Sequence, residues 1–81
     1  MKKKIILQYG DTDSKKISTA QMYLRAAGSN LELNGEYTIG MVSAVRNYQK
    51  KHGLEVTGKI DKQTWKALKK EISTFQILFG R

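Results

Sequence analysis

The sequence predicts an all-α fold, a compact three-helix bundle with a short extended segment before it and an apolar tail after it. Three observations carry this. Apolar side chains recur at three- and four-residue spacing in three separate stretches, and glycines with short polar clusters divide those stretches. At 81 residues the chain holds one domain at most, and 40% hydrophobic against 27% charged residues is too apolar for a disordered chain. With no cysteine and no proline, packing alone must hold the small core, and no Cys-based zinc site is available to help.

Taken in order, residues 4–8 are a short apolar stretch read as extended, and residues 9–14 read as a turn that offers Asp13 or Ser14 as a helix N-cap. In the first helix Ile17, Ala20, Leu24 and Ala27 form a narrow apolar stripe, and Gly28 stands where a C-terminal cap belongs. A connection with alternating Leu31 and Leu33 then ends in Asn34-Gly35, a dipeptide that tolerates positive φ. Thr38 is placed to cap a second helix with the stripe Val42, Val45, Tyr48 or Gln49, and His52. Gly53 stops it, and Leu54 supplies the contact of a Schellman motif. Thr57-Gly58 makes the next turn, Ile60 points inward, and Asp61 caps a third helix carrying Trp65, Leu68 and Ile72. The tail from Glu71 onward either prolongs that helix or folds back over the core. It completes the monomer or serves as a dimer or docking contact. The whole chain, 1–81, is read as a single domain with its core at about 7–70 and a tail at 71–81.

Residues 35–45 echo residues 58–68. Each copy sets a turn glycine, an inward residue two places on, a capping Thr38 or Asp61, and then a helix with its apolar positions in step. This frame resembles the type 1 peptidoglycan-binding domain of bacterial and phage cell-wall hydrolases. The resemblance runs through Leu7, Gly10, Ile17, Ala20-Gln21, Leu24 and Gly28 into the turn Asn34-Gly35-Glu36-Tyr37-Thr38. It continues through Ala44-Val45-Arg46-Asn47-Tyr48-Gln49, Gly53-Leu54, Gly58, Thr64-Trp65 and Leu68. The chain departs from the family where Asn34 and Thr57 replace acidic turn residues, where Thr38 and Asp61 sit at glycines, and where Met41 replaces a threonine.

The resemblance implies non-catalytic binding of peptidoglycan, its stem peptide and adjoining glycan, on the surface formed by the turns and neighbouring helix faces. Asn34, Gly35, Tyr37, Thr57 and Gly58 are the candidate contacts, with Tyr48 and Trp65 as walls. Core packing competes with ligand contact for Tyr37, Tyr48 and Trp65, since all three fall at inward positions. Chemistry of the chain's own is not expected. One histidine and no cysteine cannot build a hydrolytic zinc site, and His52 is read as a half-buried structural residue at a helix end. Glu32, Glu36, Glu55 and Asp61 lie in or beside turns rather than as a facing carboxylate pair, and no glycine loop cradles a phosphate. No catalytic residue, metal or cofactor is expected.

Fifteen Lys and Arg against seven Asp and Glu leave a net charge of +8, so anionic partners are favoured. Lys62, Lys66, Lys69 and Lys70 share a face of the third helix, and Arg46, Lys50 and Lys51 decorate the second. This face either keeps the chain in solution or adheres to an anionic wall polymer with salt-sensitive affinity. Two further partners stay open at this stage: a host protein gripped by a phage or mobile-element protein, and nucleic acid bound by a basic helical domain. Residues 5–7 are too few for the apolar core of a signal peptide. Wall binding therefore implies delivery outside the cell or in a virion by other means.

Overall fold

The computed structural model describes the backbone of residues 4–79 and the side chains of residues 4–71. Three helices, α1 (Ser14–Ala26), α2 (Ile39–Lys51) and α3 (Lys62–Phe79), enclose one core, and two short strands, β1 (Ile5–Leu7) and β2 (Ile60–Asp61), pair along one side. The strands are antiparallel, with Ile5 opposite Asp61 and Leu7 opposite Ile60. The Lys62 amide extends the pairing by donating to the Lys4 carbonyl at 2.9 Å. The expected extended segment is therefore half of a minimal sheet that ties the start of the chain to the start of α3.

Each helix begins where a side-chain oxygen meets free amides. Asp13 Oδ1 accepts from Lys16 N at 3.2 Å, Thr38 Oγ1 from Met41 N at 3.3 Å, and Asp61 Oδ1 from Thr64 N at 2.7 Å. The first two helices end alike. Ser29 N donates to Leu24 O and Gly28 N to Arg25 O, while Leu54 N donates to Gln49 O and Gly53 N to Lys50 O, a Schellman motif in both cases.

The core consists of Leu7, Ile17, Ala20, Leu24, Tyr37, Met41, Val45, Tyr48, Ile60 and Leu68. α1 and α3 pack most extensively, and α2 lies against α1. The stripe of α2 is turned slightly from the expected one: Met41 is buried, Val42 is half-buried, and His52 lies on the surface. His52 is the C-cap, so the helical period ends just before it. It rests its ring on Tyr48 at 4.2 Å and sets Nε2 3.5 Å from Glu71. Trp65 is half-buried rather than enclosed, tilted against Tyr23 with ring centroids 5.5 Å apart. The backbone of the apolar tail prolongs α3 to Phe79. What its side chains contact, and the expected place of Ile72, lie outside the described residues.

Candidate functional site

Two buried glutamines organise the turns. Gln21 of α1 reaches the turn before α2. Its Oε1 accepts from the amides of Asn34 (3.1 Å) and Gly35 (3.0 Å), and its Nε2 donates to Glu36 O (3.0 Å) and Asn34 Oδ1 (3.1 Å). Gln49 of α2 repeats this on the turn before α3. Oε1 accepts from Thr57 N (2.9 Å) and Gly58 N (3.0 Å), while Nε2 donates to Lys59 O (2.8 Å) and Thr64 Oγ1 (3.0 Å). Both carboxamides are thus engaged at both ends, which is what burial of an amide requires. In the sequence Gln21 stood out only as part of the resemblance, and Gln49 also as an alternative to Tyr48 on the inward stripe of the second helix. A polar residue at an inward position of two successive helices was the signal that they hold something.

The turns need glycine for reasons of space as well as backbone. Gly35 (φ +71°) sits where a Cβ would meet Ser14 Oγ at 2.5 Å, and Gly58 (φ +78°) where it would meet Val42 Cγ1 at 2.9 Å. The residues that replace the family's acidic ones do the same local work. Asn34 Oδ1 accepts from Glu36 N at 3.0 Å, and Thr57 Oγ1 accepts from Lys59 N at 3.1 Å, so each turn is closed by its own side chain. A link joins the two turns directly: the Tyr37 hydroxyl donates to Gly58 O at 2.7 Å.

Beside the first of these turns an open cleft of about 690 Å³ runs between residues 9–14 and residues 35–40. Tyr9 (60% exposed) and Ile39 (66% exposed) stand at its sides, and Asp11, Glu36 and the start of α2 also line it. A smaller depression bounded by Asn34, Thr38 and Gly40 adjoins it. Of the residues expected to bind, Gly35 and Tyr37 line the cleft and Asn34 the adjoining depression, whereas Thr57 and Gly58 reach it only through Tyr37. Tyr48 borders a separate polar hollow with Asn47 and Lys51, and Trp65 lines grooves on another face. The expected site is therefore drawn together at the first turn and divided elsewhere. Tyr9 and Ile39 were missed because single exposed apolar residues in a sequence look like any others.

Burial governs the phenols. Both Tyr37 and Tyr48 are only 4% exposed. Desolvation, with the nearby Asp11 charge adding to it, raises the Tyr37 pKa well above that of a free tyrosine. Desolvation and then the Glu71 charge push Tyr48 up to about 12. Both are neutral at physiological pH, and they differ in bonding, since the Tyr48 hydroxyl has no hydrogen-bond partner among the described residues. Among the described residues no group of three or more His, Cys, Asp or Glu side chains is placed to hold a metal.

Comparison with known proteins adds independent ground. The chain is similar to a Burkholderia AP3 phage endolysin, at 33% identity and a TM-score of 0.75 over 78% of this chain and 24% of that one. It is also similar to a peptidoglycan-binding protein from Clostridioides difficile, solved in complex with glutamine hydroxamate, at 32% identity and a TM-score of 0.73 over 82% of this chain and 40% of that one. The chain thus spans well under half of either protein. No curated protein sequence matches it. The profile of the putative peptidoglycan-binding domain matches residues 13–68, from the cap of α1 to the buried Leu68 of α3, and the chain belongs to that family of binding domains.

Proposed function

We propose that the chain attaches to bacterial peptidoglycan without cleaving it, using the cleft beside the first clamped turn. The observation that carries this is the pairing of family membership with an open cleft whose floor is held by Gln21 and whose sides present Tyr9 and Ile39. A rigid polar floor between apolar walls suits a peptide joined to a sugar. The start of α2 offers donors to carboxylates, and the exposed side chains offer contact area. Asn34, Gly35 and Tyr37 shape this surface, while the Gly58 carbonyl holds the Tyr37 hydroxyl in place. The module's role is to concentrate whatever it is joined to at the wall, as any linked binding unit does.

Co-sedimentation with purified sacculi tests this. Retention on intact sacculi, lost when the stem peptides are removed enzymatically, is the expected result. Equal retention on both preparations, or on neither, overturns it. Tyr9→Ala and Ile39→Ser should weaken retention about tenfold while leaving the melting midpoint nearly unchanged, because both residues are exposed.

A further inference from the structure

The indole of Trp65 is the shared wall of two grooves that have no lining residue in common with the cleft. One, of about 430 Å³, runs along α3 between Lys62, Lys66, Lys69 and Lys70; the other, of about 520 Å³, lies against α1 beside Lys15, Lys16 and Thr19. The carboxylate of Asp13 is the acidic group lining them, and its Oδ1 is engaged by the Lys16 amide. Glu71, also on α3, is turned to His52. Tyr23 backs the indole at 5.5 Å and fixes its tilt. An aromatic wall is thus flanked by lysines from two helices, with their stems forming apolar sides and their ammonium groups at the rims.

We propose that this face is a second binding site, for a phosphodiester-linked polyol or sugar polymer of the cell wall. Three features select that occupant. Along α3, Lys62, Lys66 and then Lys69 follow at about one helical turn, with rises of about 6 and about 4.5 Å, which suits a linear chain of closely repeated single charges. The cations are lysines, compact point charges that neutralise phosphate without the forked geometry that reads planar groups. Among the described residues the indole is the one aromatic ring lining these grooves, and it gives one stacking surface, enough for the apolar face of a sugar or polyol unit, where single-strand nucleic-acid sites align several aromatics for successive bases. The choice of a wall polymer among phosphodiester chains rests on the wall-binding reading, but the site and its charge do not.

The experiment is direct binding of the full chain to purified poly(glycerol phosphate), with poly-glutamate and single-stranded DNA as comparison polyanions. Saturable binding to the phosphate polymer is expected, tighter than to either comparison. With the three phosphates that face Lys62, Lys66 and Lys69 neutralised, affinity should fall about 20-fold between about 50 and 200 mM salt, taking the single-strand dependence per phosphate. K62Q/K66Q/K69Q should weaken polymer binding at least tenfold and leave retention on phosphate-stripped sacculi unchanged. Trp65→Leu should weaken polymer binding at low salt as well, with the melting curve recorded beside it because the indole is half-buried. If that variant proves unfolded, the lysine variant decides. Absence of polymer binding at low salt, equal binding to poly-glutamate, tighter binding to DNA, or indifference to the lysine substitutions would each overturn the proposal. None of these results bears on stem-peptide retention through the cleft, so the two readings fail separately.

Discussion

A carboxamide can accept two backbone amides at one end and donate to carbonyls at the other, and Gln21 and Gln49 use both ends on successive turns. Gln49→Leu keeps the volume and removes the bonds, leaving Thr57 N and Gly58 N short of partners, while Lys59 O keeps the Thr57 hydroxyl. At about 1 kcal/mol or more for each amide, denaturant unfolding should show a loss of about 2 kcal/mol or more. The two buried tyrosines make a sharper contrast. Tyr37→Phe orphans Gly58 O and should cost about 1–2 kcal/mol, whereas Tyr48→Phe removes a hydroxyl that has no partner among the described residues and should be neutral or stabilise by up to about 1 kcal/mol. Alkali separates them again. Because folding favours the neutral phenol, the stability tied to Tyr48 is whole below pH about 10 and is lost as pH rises towards about 12. Urea midpoints measured across that range should therefore fall for the parent and fall less for Tyr48→Phe.

The element that repeats is a turn locked by a glutamine and followed by a capped helix. Gly58→Ala places a side chain at φ +78° and against Val42 Cγ1, so a loss of about 2 kcal/mol is expected. Gly40 differs: it lies in the first turn of α2, and its added Cβ would come no closer than 3.5 Å to Thr38 Oγ1. Gly40→Ala should thus stabilise by about 0.5–1 kcal/mol, and chemical denaturation of the two alanine variants should move in opposite directions. The pieces governed by local chemistry were legible in the sequence. Thr38, Asp61, Gly28 and Gly53 announce helix ends because caps and left-handed glycines act within a few residues. The apolar period could not show that α2 stops before His52 completes another turn, which is why that residue was expected inward. The cleft was half legible. Glycine turns marked Gly35 and Gly58, but which exposed side chains would face each other across the gap depends on how residues 9–14 pack against residues 35–40, a distant pairing with no periodic signature.

At the scale of the whole molecule, the first strand lies before the residues that the family profile matches, yet it closes the core. That profile starts at residue 13, whereas Leu7 is 1% exposed and sits opposite Ile60, itself fully buried. The segment was readable as extended from its apolar run, but its partner was not, since strands of three and two residues carry too little pattern to reveal pairing across most of the chain. The pairing also anchors α3, because the Lys62 amide at the helix start binds the Lys4 carbonyl. If β1 is integral, its loss must be felt through the entire domain. Leu7→Ala should cost about 3 kcal/mol, which in a domain of this size lowers the thermal midpoint by about 12–24 °C in a single transition. Amide exchange at Lys62 should then follow global unfolding in the parent. A midpoint within a few degrees of the parent, with Lys62 exchanging freely in both proteins, would mean that the three helices stand without the strand and that β1 merely rests on them. Retention on sacculi well below the lowered midpoint should persist, because Leu7 does not line the cleft.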